Sequence, residues 1–373
     1  MTEGKKVLIV CDKNPCTSFG RLALDFFAAL SLTVFSPKNL WLVTPRFFPE
    51  GAPAGDRDVA IPAKNLYTGF FSFRNPLKIV LKKEKPDVII FIRPELGFLV
   101  PVARKVLPTA HLVTMVHDTF AETLYPHSLK FSLIKKFFVS PVVHSHSFIY
   151  NSEYTKREAE RYYGKVMPLS AVVRCPIRSN VFCPAGNTSP EDRKAFWKGQ
   201  GVNGFRGVCL NVSLDEPRKN LNTFFKVASL CPDVAFVRVG RLRKETQMKL
   251  DSMGLKNVFH FRNIPDELLV AFYRNADLML YPSFLEGFGL PPIEAIACGT
   301  PAMAAETSAL AENLKGVVPL LKDPEDAEGY VAVLNRVLSG ENIVDTAAAK
   351  ALLDSCTLES FAERLSGFLK TVI

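Results

Sequence analysis

The stretch "DLMLYPSFLEGFGLPPIEAIACGTPAMAA", residues 277–305, decides the fold. Two apolar runs, "LMLYPS" and "PAMAA", each have the length of a buried strand, and a glycine-rich loop and a helix lie between them. Two strands joined through a helix in so short a span must lie parallel in one sheet. Pro291 and Pro292 suit the first helical positions, where no backbone donor is needed. Glu294 is then expected in the first turn, steadied by the positive end of the helix dipole. Gly299 ends the helix and Pro301 resumes the chain. Glu286 stands in the loop at the carboxyl edge of the strand, and Gly287 and Gly289 let backbone amides come close to a ligand.

The same alternation runs outward in both directions. "KVLIV", "LWLVTP", "DVIIFIRP", "HLVTMVHD", "SFIYNS" and "LSAVVRCP" read as strands separated by helices such as "RLALDFFAAL" and "NPLKIVLKKEK". "RGVCLNVS", "VAFVRVG" and "NVFHFRN" repeat the pattern before the opening stretch. Continuous apolar strands between helices mean parallel sheets covered on both faces, which is a doubly wound α/β arrangement. The segment 182–204, rich in Pro, Gly, Ser and Asn, contains no strand. The expectation is two Rossmann-like domains facing across a cleft. The first spans 1–182, 183–204 is a linker, and the second spans 205–355. A last helix in 356–373 crosses back to the first domain and acts in the hinge.

A chain of 373 residues exceeds one ordinary core and suits two. With 48% apolar and 22% charged residues it reads as globular. No apolar run approaches the roughly 18–20 residues of a membrane span, and the four-residue run "VLIV" is too short for a signal peptide. The eight cysteines show no C-x-x-C and no zinc-ligand spacing, so they read as small buried hydrophobes in a reducing compartment. The localisation expected is cytoplasmic. Net charge is +9 and uneven: residues 1–182 hold 25 Lys/Arg against 14 Asp/Glu. Lysines gather in "LKIVLKKEKP" (77–86) and "SLIKKFF" (132–138), both helix-like with one apolar side. Such helices favour an anionic membrane surface over nucleic acid; a solvated helix face is the other reading. The aromatic–basic motifs of nucleic-acid modules are absent, so no nucleic-acid partner is expected.

Two carboxylates do not grip phosphate. Glu294 suits a diol such as a ribose, and Glu286 a sugar hydroxyl or a cationic transition state, with loop amides and nearby cations left to hold phosphates. The run "EGFGLPPIEAIACGTP" resembles the E-x7-E signature of retaining glycosyltransferases of family 4, which have the GT-B architecture. The resemblance covers nearly the whole chain and is strongest over 207–313. It implies that Glu286, Gly287, Phe288, Gly289, Leu290 and Glu294 bind a nucleotide-sugar donor. In "SLDEPRKNL" (213–221), Lys219 matches the family lysine that neutralises the diphosphate. Ser213 stands where the family has Arg, a departure for which Arg218 is the candidate substitute. Gly240, in "RVGRLRKE", matches a loop near the nucleotide, where Arg241 or Arg243 reaches toward phosphate, and "HFRNIP" (260–265) matches the segment that frames the base. Gly20 and Arg21, in "NPCTSFGRLALDF", match a phosphate or acceptor loop; with no G-x-G-x-x-G the chain does not read as a nicotinamide enzyme. His117, just beyond a strand in "TMVHDTF", matches a histidine near the donor sugar, with Asp118 to orient it or to bind an acceptor hydroxyl. "HSH" (144–146) lacks a third ligand and reads as structural.

These matches imply a metal-independent retaining hexosyltransferase with no cofactor. Glu286, His117, Asp118 and Lys219 would be its catalytic residues, and Arg218 would assist at the diphosphate. The donor is a GDP- or UDP-linked sugar. The acceptor is a glycan or a polyprenyl-diphosphate-linked glycan of surface-polysaccharide or lipopolysaccharide assembly, met at the inner membrane face. The alternative is a non-catalytic protein of the same fold that binds nucleotide sugar or scaffolds an assembly; the Ser213 departure is its best support.

Overall fold

A computed structural model describes residues 4–13, 17–33, 35–45, 58–61, 66–119, 129–164, 167, 169–184, 186 and 189–373. The chain divides into two compact units. One is Met1–Pro176 together with Leu358–Ile373; the other is Ile177–Thr357. Both are Rossmann-like α/β units.

The first unit is built on strands β1 (Val7–Val10), β2 (Leu40–Pro45), β3 (Asp58–Ile61), β4 (Val88–Phe91), β5 (His111–Val116), β6 (Ser147–Tyr150) and β7 (Ser170–Val172). Their order is β3-β2-β1-β4-β5-β6-β7, and every pair is parallel. Every residue of β1, β4 and β6 is buried, as expected of strands covered on both faces. Leu77, Val80 and Leu81 of the helix Leu66–Glu84 pack with Leu8, Ile89 and Phe91. The stretch expected as one helix over "ELGFLVPVARKVL" begins instead with a 3-10 turn, Pro94–Leu99, and the helix follows over Val100–Val106. The last helix, Leu358–Val372, belongs to this unit: Phe361 meets Phe26 of the helix Ser18–Ser31 edge-on at 5.0 Å.

The second unit has β8 (Val208–Val212), β9 (Ala235–Val239), β10 (Val258–Phe261), β11 (Leu278–Tyr281), β12 (Ala302–Ala305) and β13 (Leu320–Leu321). Their order is β10-β9-β8-β11-β12-β13, again parallel throughout. The pairing of β11 with β12 is the one read from the opening stretch. The expected linker 183–204 is corrected. It holds the helix Pro190–Gly199, closed by a Ser189–Asp192 capping box, and its Trp197 is buried against Phe272 with Nε1 donating to Asn275 O at 2.7 Å. One large aromatic makes this polar stretch part of the second core, and the division between units falls at Pro176.

In each sheet the strand order reverses once, between β1 and β4 and between β8 and β11. Connections leave those neighbouring strands toward opposite faces, which opens a crevice at their carboxyl ends where ligands of such sheets bind.

Candidate functional site

At the β8/β11 reversal the two strands are tied by Asn211, whose Nδ2 donates to Leu280 O at 2.9 Å. The loop after β8 carries a 3-10 turn, Pro217–Lys219, followed by Asn220 at φ 51°. Asn220 Nδ2 donates to Pro282 O at 3.0 Å, and Phe284 N donates to Arg218 O at 2.8 Å, so this loop is docked on the loop after β11. Glu286 lies at the junction. Its Oε1 accepts from Lys219 Nζ at 2.6 Å and its Oε2 from Arg218 Nη1 at 3.0 Å. Lys219 Nζ also donates to Tyr281 OH at 2.8 Å, and Arg218 Nε to Glu216 Oε2 at 2.6 Å. Glu286 and Lys219 are 5% and 7% exposed, so these charges are held almost out of water. Burial pushes the Glu286 carboxyl upward, but Lys219 and Arg218 outweigh it and hold the group below its ordinary range. Burial draws Lys219 below its usual value, and Glu286 offsets that only in part. Holding three charges together out of water costs desolvation that apolar residues would avoid, so the cluster marks this junction as a candidate site. Chemically it offers two cationic donors for an anion, set beside an acceptor for a hydroxyl.

The glycine-rich turn is braced from the helix Ser308–Leu314. Glu286 N donates to Ser308 Oγ at 2.8 Å, and Asn313 Nδ2 donates to Phe288 O at 2.7 Å. Gly289 sits at φ 89°, and a Cβ there would come within 2.5 Å of the Leu310 side chain. The following helix is Leu290–Ala297. Because Pro291 and Pro292 carry no N–H, the amides of its first turn are those of Leu290 and Ile293, which narrows the expected donor set from this loop. The helix starts at Leu290, which places Glu294 beyond the first turn, so the expected steadying by the dipole is corrected. What holds Glu294 is Tyr273, whose hydroxyl donates to Oε2 at 2.9 Å.

The β9 loop is the third part. Gly240 has φ 135°, and a Cβ would fall 2.1 Å from Ser213 O, so only glycine lets the loops after β8 and β9 meet. Arg241 and Arg243 are both exposed; Arg243 is held to Asp215, whose Oδ2 accepts from its amide at 2.6 Å. Ser213 Oγ donates to Asn211 Oδ1 at 2.8 Å and reaches no charged group through that bond.

The remaining candidates lie in the first unit. His117 is buried, and its Nε2 lies 2.7 Å from Ile92 O; burial pushes its pKa down to about 4. A neutral ring beside a carbonyl must carry its proton on Nε2, which leaves Nδ1 as an acceptor. The group that orients Nε2 is the Ile92 carbonyl, and Asp118, the residue after His117, is partly buried. The amide of Gly20 is taken by Thr17 Oγ1 at 3.2 Å as the helix cap, so it is not among the donors offered to a ligand. Arg21 is the next residue of that helix and is partly buried; residues 14–16 of the expected loop lie outside the described residues. "HSH" forms internal bonds: His146 Nδ1 accepts from Leu112 N at 2.9 Å.

Sequence reasoning missed a cluster at the β1/β4 reversal. Arg93, two residues past β4, donates to Glu95 Oε1 at 2.6 Å and to both oxygens of Asp12 at 3.3 Å. Its guanidinium carbon lies 4.6 Å over the Phe19 ring, and that ring meets His117 edge-on at 5.0 Å. The available signal was position: Asp12 and Arg93 each stand two residues after the strands that flank the reversal.

Residues 192–352 match the family model described as Glycosyl transferases group 1. Over 157 residues the chain is 29% identical to O-antigen chain mannosyltransferase B of Escherichia coli, covering 40% of this chain and 41% of that protein. Over 122 residues it is 36% identical to the D-inositol 3-phosphate glycosyltransferase of Thermomonospora curvata, covering 32% of this chain and 28% of that protein. The match thus spans less than half the length of either relative. Among solved structures, sucrose-phosphate synthase from Thermosynechococcus elongatus superposes with a TM-score of 0.78 at 16% identity, covering 99% of both chains. Anabaena Alr3699/HepE, in complex with UDP and glucose, superposes at 0.75 with 19% identity over 98% of this chain and 100% of that one. These structural likenesses carry the fold, a two-unit GT-B architecture, across the whole chain.

Proposed function

We propose that this protein, with its group 1 glycosyl transferase segment, is a retaining glycosyltransferase that moves a hexose from a nucleotide-diphosphate sugar to a glycan or lipid-linked glycan. The observation that carries the reading is Glu286, buried between Lys219 and Arg218 at the strand reversal. In the reaction Lys219 and Arg218 receive the charge that grows on the departing diphosphate, in a site where water does not screen them. Glu286 accepts from a hydroxyl of the donor sugar, and Glu294, steadied by Tyr273, accepts from the ribose diol. These protein cations take the place of a divalent ion, and no cofactor enters. His117 presents a proton-free Nδ1 to a sugar hydroxyl, and Asp118 serves the acceptor.

The UDP and UDP-glucose complexes of Anabaena Alr3699/HepE support a nucleotide-linked donor, read here as GDP- or UDP-linked, and the O-antigen mannosyltransferase among the relatives supports a role in surface-polysaccharide assembly. A membrane-side acceptor is supported by one surface. Leu129, Leu133 and Phe137 recur every fourth residue along the helical run from Leu129 to Val139 and are 83%, 57% and 52% exposed. Lys135 and Lys136 are exposed beside them. Apolar side chains on one face with flanking lysines fit a peripheral contact with anionic lipid. No described helix is long and apolar enough to cross a membrane.

The test is turnover. The protein is incubated with UDP- and GDP-sugars and a lipid-linked acceptor, and released nucleoside diphosphate is measured. Binding of a sugar nucleotide with no release at any acceptor overturns the enzyme reading and favours the non-catalytic scaffold.

A further inference from the structure

We infer that Arg238 is a positioning residue of the donor site, adding from the neighbouring strand a buried positive charge beneath the backbone of Ser213, beside the charges of Lys219 and Arg218. The inference rests on the nucleotide-diphosphate reading above.

Arg238 lies in β9, where every residue is buried, and is itself 0% exposed. A charged side chain there is costly unless it is matched. Its hydrogen-bond partners are all neutral carbonyls. Nη1 donates to Gly240 O at 2.5 Å, and Nη2 donates to Ser213 O at 3.0 Å and to Arg241 O at 3.2 Å, while Nε has no partner among the described residues. The guanidinium thus sits directly under the backbone of Ser213, six positions before Lys219, and ties the ends of β8 and β9 together.

The surrounding charge does not balance it. Asp215 is the carboxylate that acts on Arg238, and Asp215 is already paired with Arg243. His260 of β10 shares the Gly240 carbonyl at 2.5 Å; burial draws its pKa down, so it adds no negative charge and favours its neutral form. Arg241 and Arg262 are exposed at the same strand ends. Burial lowers Arg238 to about 10, which leaves it charged at neutral pH. A fully buried cation with an unsatisfied N–H, ringed by further arginines and one committed aspartate, is a site short of negative charge. An anion of the charge density of a diphosphate completes it. Arg238 acts on that anion through the loop it holds and through its field, without touching it.

The test uses the full chain and isothermal titration with UDP, GDP, uridine and guanosine. In R238M the diphosphate affinity is expected to fall about tenfold, as for loss of one nearby charge of low solvent screening, while nucleoside affinity stays within about twofold. R238K keeps the charge and is expected to hold the diphosphate within about threefold of wild type. Equal loss for nucleoside and diphosphate, or no loss for either, overturns the inference. If R238M does not fold, R238K decides: a tenfold loss of the diphosphate overturns it. If the wild type binds no nucleoside diphosphate, the donor reading fails first; if it binds and R238M binds equally well, only the role of Arg238 fails.

Discussion

Replacing Glu286 with Gln removes one negative charge from between two cations and leaves the side-chain shape nearly unchanged. Lys219 at 2.6 Å and Arg218 at 3.0 Å then face a neutral amide, whose NH2 opposes a donor on one side. Breaking a buried pair in this way costs about 3–5 kcal/mol, and for a unit of this size each kcal/mol lowers the melting temperature by about 2–4 °C, so a fall of about 6–20 °C is expected. Ligand binding moves the other way. A phosphate oxygen on Lys219 would lie about 5 Å from the Glu286 carboxylate, and two unit charges at that distance repel by about 3 kcal/mol at an effective dielectric of about 20. Relief of even half of that strengthens nucleoside diphosphate binding about tenfold. Turnover is expected to fall about 100-fold or more, because the negatively charged acceptor in the transition state is replaced by a weaker neutral one. Calorimetry with UDP and GDP and steady-state kinetics on the same preparation read the two effects. Nucleoside diphosphate affinity that falls in step with turnover would refute the reasoning and make Glu286 a brace for the loop alone.

The Glu286 carboxyl is held below its unfolded value of about 4.3, so its contribution to stability is present above that pH and is lost as pH falls through the folded pKa; acid-unfolding curves of E286Q should lack that component. His117 titrates at about 4 in the fold. Against about 6.5 unfolded, the unfolded chain takes up this proton first, so stability is unaffected above pH 6.5 and falls by up to about 3 kcal/mol as pH drops through 4, and H117N should be flat over that window in denaturant titrations. K219A should lower kcat about 100- to 1000-fold with a smaller change in nucleoside binding; equal losses would show that Lys219 only packs. L133E/F137E should abolish co-sedimentation with phosphatidylserine vesicles while leaving the melting temperature within about 2 °C, since both side chains are exposed.

Sequence alone determined the two-sheet α/β plan, because a fully buried strand must be apolar at every position and a parallel neighbour must be reached through a helix; "VLIV", "VIIF" and "LMLY" could be nothing else. It also determined the glycine-rich turn with Glu286 and the loop with Lys219, since each falls where a strand ends. It misjudged 183–204, because polar composition hides one anchoring aromatic, Trp197. Only the tertiary structure decided which charges meet. Arg218 and Lys219 are 68 and 67 positions from Glu286, and Arg238 reaches Ser213 across 25. Asp12 and Arg93 are 81 apart. Hydrophobic periodicity is a local property and is written along the chain; ion pairing depends on the order in which strands lie side by side, and that order exists only once the sheet has formed.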